Sequence, residues 1–134
     1  MKIPRRTREI VEFYAAESYP LEVMGFIVGD SLVPIAHTRY AERSRVACAI
    51  HEETDARAQD MFDDIHFTFH SHPFFRPDIS PSIGPVDLDD MDEGDLEWIV
   101  FVAQGARKFR FRHKIYRLIK GRPRLVKPEW VVLP

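Results

Sequence analysis

Two histidines separated by a single residue, His70 and His72, have the type and spacing that point most directly to chemistry. They follow an apolar run, residues 65–69, that is typical of a β-strand. Because side chains alternate along a strand, the two imidazoles should point to the same face. Pro73 follows and ends regular pairing, since proline has no N–H to donate. Two imidazoles on one face can occupy two corners of a tetrahedral zinc site, and a third ligand with an open position would make that site catalytic.

Carboxylates can fill the remaining roles in such a site. The candidates for a third ligand are Asp78, Asp87, Asp89 and Asp90. A catalytic zinc also needs a base that takes a proton from water. Glu22 is the candidate base, because it begins an otherwise apolar strand, where a lone carboxylate is costly without a partner or a purpose.

Composition narrows the kind of metal site and the kind of protein. Cys48 is the only cysteine, so a disulfide framework and a cysteine-rich zinc site are excluded, and Cys48 itself is expected to be a buried core thiol. The 134 residues, 45% hydrophobic and with a net charge of −2, predict one globular domain over residues 1–134 and no partner selected by bulk charge. No apolar run approaches the roughly 20 residues of a transmembrane helix, and the basic N-terminus lacks the apolar segment of a signal peptide. We therefore expect a cytoplasmic protein without membrane partners.

The elements that must position these residues can be predicted from hydrophobic periodicity and from turn residues. The pattern predicts helices over 5–18 and 52–64 and a short acidic helix over 87–95. It predicts strands over 23–28, 32–37, 45–51, 65–72 and 97–103, a loop over 73–86, and a hairpin formed by 109–118 and 124–126. This order of helices and strands predicts an α+β fold or an α/β sandwich.

The segments around Glu22 and the histidines resemble a known family. The run PLEVMGFIVG at 20–29, followed about 40 residues later by HSHP at 70–73, resembles the JAMM (MPN+) zinc metalloprotease family. That family has a Glu-x-x-Gly strand start and a His-Ser/Thr-His-Pro motif, then a Ser seven residues after the Pro and, beyond two intervening residues, an Asp. The resemblance covers nearly the whole chain, including the closing YRLIKGR hairpin at 116–122, which is common in small prokaryotic members. It implies a mixed β-sheet flanked by helices, of cytidine-deaminase-like architecture.

The resemblance also implies a role for each site residue. His70 and His72 correspond to zinc ligands and Glu22 to the general acid/base. Counting from His72 reaches Ser80 for the serine that stabilises the oxyanion, but position 83, where the Asp is expected, is Ile83.

The third ligand is therefore expected further along the chain. The run that begins at Val86-Asp87 looks more like the ligand-bearing helix start, which favours Asp87 over Asp89 and Asp78 and implies a loop four residues longer. Position 84, three residues before Asp87, is a glycine, so Ser82 or Ser80 must reach the oxyanion position, with Ser82 slightly favoured.

The resemblance implies a zinc peptidase or isopeptidase acting at the C-terminal tail of a ubiquitin-like or sulfur-carrier-like protein. Such a tail would bind as an added strand. Two other functions stay open: a catalytically silent MPN-like scaffold that binds partners, and a peptidase of phage tail assembly. A homodimer is compatible with the sequence.

Two further features have ordinary interpretations. The basic run over 107–127 is compatible with a surface that binds nucleic acid or an acidic protein. The commoner case is a half-exposed strand whose charged face lies in water and also blunts edge pairing. A nucleic-acid-associated protein that uses this basic strand is the third and weakest alternative function, and nucleic acid is not expected as a partner. His66 shares the face of His70 and His72, and we expect it to be packed or hydrogen-bonded and not to act as a fourth ligand.

Overall fold

A computed structural model describes residues 1–36, 41–43, 48–50, 65–73 and 91–132, with the backbone alone at 41–43 and 48–50. Within these ranges it contains one helix, α1 (Arg5–Ser18). The strands of the same ranges are β1 (Lys2–Pro4), β2 (Met24–Val28), β3 (Val33–Ala36), β4 (Ala41–Arg43), β5 (Cys48–Ile50), β6 (Ile65–Pro73), β7 (Leu96–Gln104), β8 (Phe109–Ile119), β9 (Arg122–Val126) and β10 (Glu129–Val131).

Six of these strands form one mixed sheet in the order β3-β2-β6-β7-β8-β9. β6 and β7 are parallel, and the other neighbouring pairs are antiparallel. β1 and β10 form a small parallel pair, and β4 and β5 form an antiparallel pair. The described part of the chain is therefore a sheet-dominated mixture of helix and strand, which agrees with the predicted α+β class in its coarse form.

The sheet buries apolar side chains on both faces. Helix α1 packs across one face and covers the larger core cluster, whose members are Ile3, Val11, Ala15, Ile27, Phe67, Phe69, Trp98, Val100, Val102 and Ile115. The opposite face carries a second cluster of Met91, Ile99, Phe101, Tyr116 and Leu118. Burial on both faces explains why the sequence of β7 is apolar almost throughout, as expected for a central strand.

A polar link ties α1 to the middle of the sheet. The indole Nε1 of Trp98 donates to Nδ1 of His113 at 3.1 Å, and Nε2 of His113 lies 2.9 Å from a carboxylate oxygen of Glu12 on α1. Because the Trp98 donor occupies Nδ1, the proton of the neutral ring resides on Nε2 and is donated to Glu12. This histidine therefore fastens the helix to the sheet.

Most predicted elements within the described ranges are present, and the differences are local. The strand that carries HSHP ends at Pro73, as expected. The strands β1, β4 and β10 were not predicted, because three residues are too few to show a period. The predicted helix over 52–64, most of the loop over 73–86 and the first part of the acidic segment, residues 87–90, lie outside the described residues.

The predicted acidic helix is wrong for residues 91–95, which form a turn against β8. Asp95 closes this turn by accepting the N–H of Asp92 at 2.9 Å. Glu93 accepts the N–H groups of Lys120 and Gly121, which are the two central residues of the β8–β9 turn. Both have positive φ, 51° and 71°, as a two-residue type I′ hairpin requires. The acidic side chains here satisfy backbone donors of turns and do not start a helix.

Gly25, in the Glu-x-x-Gly motif, is required by a close approach of backbones. A Cβ at this position would lie 2.1 Å from the carbonyl oxygen of Ile35 on the neighbouring strand β3. Gly25 pairs with Ala36 in the β2–β3 register, so no flexible side chain can move to make room. The glycine lets the first strand after Glu22 join the sheet.

We expect Gly25→Ala to destabilise the protein by about 2 kcal/mol or more, because the added methyl forces β2 and β3 apart. In thermal unfolding followed by circular dichroism, this corresponds to a midpoint lower by roughly 5 to 10 °C. Val33→Thr, at an exposed position of β3, is the control and should change the midpoint little. An unchanged midpoint for Gly25→Ala would contradict the close approach.

Candidate metal centre

His70 and His72 lie near the C-terminal end of β6, on the face opposite α1. Their Nε2 atoms are 2.9 Å apart and their ring centroids 4.7 Å apart. Both side chains are largely shielded, with 12% and 26% of their surface exposed. The structure therefore places the two imidazoles on one face, as the alternation along a strand predicts.

Glu22 is brought to the histidines by strand register. Met24 at the start of β2 pairs with His70 on the antiparallel strand β6, so that Glu22, two residues earlier, comes opposite His72. Its carboxylate oxygen Oε1 is 3.5 Å from Nε2 of His72. Glu22 is 4% exposed, so this carboxylate is buried beside the two rings.

Ser71, between the two histidines, fixes this arrangement from the other side of the strand. Its hydroxyl Oγ accepts the N–H of Val23 at 2.8 Å, and its own N–H donates to the carbonyl of Val23 at 2.8 Å. Ser71 is fully buried. Val23, the residue directly after Glu22, is thus held by two hydrogen bonds to Ser71, the residue between His70 and His72.

These three side chains fit a metal ion by chemistry and by spacing. One ligand atom from each of Glu22, His70 and His72 lies within 4.8 Å of the other two. Zinc bonds of 2.0 to 2.1 Å in a tetrahedron separate the ligand atoms by about 3.3 Å. The separations of 2.9 Å and 3.5 Å bracket that value. The donor set, imidazole and carboxylate without thiolate, suits zinc among other divalent transition metals. Glu22 is placed either to bind a metal directly or to hold a water beside it.

An apolar wall borders the two rings. His72 meets the ring of Phe101 edge to face, with centroids 5.4 Å apart. In the β6–β7 register His70 pairs with Ile99 and His72 with Phe101, both members of the second core cluster. Such neighbours restrict the rotation of the imidazoles and exclude water from one side of the site.

Glu97 is a functional candidate that sequence reasoning missed. It was predicted only as the first residue of a buried strand, yet its Oε1 contacts Nδ1 of His70 and its Oε2 accepts the hydroxyl of Thr68. Both side chains of the His70–Glu97 pair are more than four-fifths buried. The signal that would have found Glu97 is the same one that singled out Glu22, a carboxylate within an apolar strand.

The remaining sequence candidates divide into those outside the described residues and those that the structure places. Asp78, Ser80, Ser82, Asp87, Asp89, Asp90 and the side chain of Cys48 lie outside the described residues. Of the two alternatives expected for His66, packed or hydrogen-bonded, packing is wrong, because its side chain is exposed near the start of β6. The metal group among the described residues consists of Glu22, His70 and His72, without His66. Arg110 and Arg112 on β8 and Arg124 on the edge strand β9 are exposed, as expected for a half-exposed basic run that blunts edge pairing.

Comparisons with known proteins inform the fold alone. No protein-family model matches the chain, and no curated protein matches it in sequence. The solution structure of protein DSY2949 from Desulfitobacterium hafniense is similar, with a TM-score of 0.70 and 12% identity over 98% of this chain and 93% of that chain. The solution structure of a protein from Salinibacter ruber gives a TM-score of 0.49 and 18% identity over 98% and 90%. The first likeness shows a shared overall fold. No helix among the described residues is long and apolar enough to cross a membrane.

We expect Ser71→Ala to destabilise the protein by about 1 to 3 kcal/mol, because it leaves the N–H of Val23 without an acceptor in a buried place. Thermal unfolding should show a lower midpoint, whereas Ser31→Ala, at an exposed turn position, should not change it. If both variants unfold at the wild-type temperature, the hydroxyl of Ser71 does not hold the start of β2.

Proposed function

We propose that the protein is a zinc-dependent peptidase or isopeptidase of the JAMM type with an MPN-like domain. The observation that carries the proposal is the burial of Glu22 with its carboxylate 3.5 Å from Nε2 of His72, which itself faces Nε2 of His70. Glu22 and the two histidines are almost 50 positions apart in the sequence, yet they lie side by side. They form the group of two imidazoles and one carboxylate that the Glu-x-x-Gly and His-Ser-His-Pro motifs imply.

The residues present suit the hydrolysis of an amide bond. When bound, zinc supplies a Lewis acid that polarises a carbonyl oxygen and makes water more acidic. Glu22 takes the proton of the attacking water as the water oxygen bonds to the carbonyl carbon. It then delivers that proton to the leaving nitrogen as the carbon–nitrogen bond breaks. A buried carboxylate suits this shuttle because solvent does not compete for its proton.

The proposal extends to residues outside the described ranges. We infer that Asp87 completes the metal ligand set with His70 and His72, ahead of Asp89 and Asp78. We further infer that Ser82, or Ser80 in its place, donates a hydrogen bond to the oxyanion. Glu22 then keeps its role as base.

The substrate class follows from the same resemblance. We propose that the protein acts in the cytoplasm on the extended C-terminal tail of a ubiquitin-like or sulfur-carrier-like protein, which binds as an added strand. The alternative enzyme, a peptidase of phage tail assembly, would use the same chemistry on a different protein substrate. A silent scaffold would keep the fold but have no need of a buried Glu22 beside the histidines, and the following experiment separates it from an enzyme.

Wild-type protein prepared with zinc should hold one zinc per chain, measured by elemental analysis of the purified protein. His72→Ala should lose most of this zinc, because one of two imidazole ligands is removed. Glu22→Gln should retain zinc and lose hydrolysis of ubiquitin-like or sulfur-carrier-like fusion proteins by about 100-fold or more, because glutamine accepts no proton. Zinc-free wild-type protein, or full activity of Glu22→Gln, would contradict the proposal.

The third ligand can be tested by a matched pair of variants. Asp87→Ala should reduce zinc content, and Asp89→Ala, which removes the same charge two residues away, should leave it near one per chain. Direct measurement of bound zinc after dialysis compares the two. The assignment of Asp87 is wrong if the two variants exchange these results.

A further inference from the structure

Glu97 contacts His70 at Nδ1, the ring nitrogen that does not face His72. Its Oε1 contacts Nδ1 of His70, whereas Nε2 of the same ring faces His72. The parallel register of β6 and β7 sets Thr68 beside Glu97, and the hydroxyl of Thr68 donates to Oε2. Both carboxylate oxygens of Glu97 are therefore engaged on β6.

The contact with a carboxylate decides where the proton of the His70 ring resides. An ionised carboxylate accepts hydrogen bonds and donates none, so Nδ1 must carry the proton. The neutral ring then has its lone pair on Nε2, which points at His72 and at the place where a metal would be held. In the other tautomer, Nε2 would direct a proton into that place, and the ring could bind a metal there only after that proton had moved to Nδ1.

The surroundings make this contact firm. The side chains of His70 and Glu97 are only 12% and 14% exposed, so water competes weakly for their hydrogen bond. Thr68 prevents the carboxylate from rotating away, and Ile99 lies beside His70 in the β6–β7 register. The ring of His70 is thus held by Glu97 at Nδ1 and faces His72 at Nε2.

We propose that Glu97 is a positioning residue that fixes the tautomer and orientation of His70 so that Nε2 is presented to a metal ion, with Thr68 holding Glu97 in place. This inference rests on the proposed function in one respect, that the site binds a metal. Glu97 touches no substrate in this scheme and acts through His70. Groups that orient a metal-binding histidine typically change metal affinity by 10- to 100-fold.

Two measurements test the proposal, and the first needs neither metal nor activity. Long-range ¹⁵N–¹H correlation spectra of the metal-free protein report which ring nitrogen of His70 carries the proton. The wild type should show the proton on Nδ1. Glu97→Ala should show a mixture or the opposite tautomer, and Glu97→Gln should keep the wild-type form, because its amide oxygen still accepts from Nδ1. An unchanged tautomer in Glu97→Ala overturns the proposal.

The second measurement is zinc affinity by competition with a chromophoric chelator. Glu97→Ala should bind zinc about 10- to 100-fold more weakly than the wild type. Glu97→Gln and Thr68→Val should lie between the two, since each keeps part of the contact. Glu129→Gln, which neutralises an exposed carboxylate on β10, is the charge-matched control and should bind as the wild type does.

The two possible failures can be told apart. If the wild type binds zinc and Glu97→Ala binds it equally well, the role of Glu97 is wrong and the metal site stands. If the wild type binds no zinc, the proposed function fails, and with it the positioning role. Circular dichroism of each variant confirms that it is folded before either conclusion is drawn.

Discussion

The candidate site depends on one pair of hydrogen bonds, between Ser71 on β6 and the backbone of Val23. These bonds attach the segment that carries Glu22 to β6, the strand that carries both histidines. Gly25 also supports the position of the segment that carries Glu22, because it lets β2 approach β3 closely enough for the two strands to pair. Backbone pairing, and not side-chain attraction alone, therefore brings an acid and two imidazoles together.

The site concentrates polar groups in a sheet that is otherwise apolar on both faces. Glu22, His70 and Glu97 are largely buried, and burying such groups is costly unless each has a hydrogen-bond or metal partner. Glu97 has two partners on β6. Helix α1 and its core cluster stiffen the opposite face, so the side chains rest on a rigid base, as a site that binds metal in a defined geometry requires.

Short-range sequence patterns identify part of the site. Strand alternation placed His70 and His72 together, and an acidic residue within an apolar run pointed to Glu22. The same kind of pattern marks Glu97, a carboxylate at the start of an apolar run, but its partner His70 depends on the parallel register between β6 and β7, which no local pattern encodes. The sequence predicts a helix at 91–95 because Asp and Glu favour helix starts. The role of Glu93 as acceptor for the β8–β9 turn depends on tertiary structure.

The proposed function requires His70 and His72 to bind zinc through their Nε2 atoms beside Glu22. Zinc K-edge X-ray absorption of the zinc-loaded protein tests it most directly, because it reports the type and distance of the ligands. Two imidazole nitrogens at about 2.0 Å are expected, with oxygen completing the shell. A spectrum without imidazole scattering, or one that His70→Ala leaves unchanged, would contradict it.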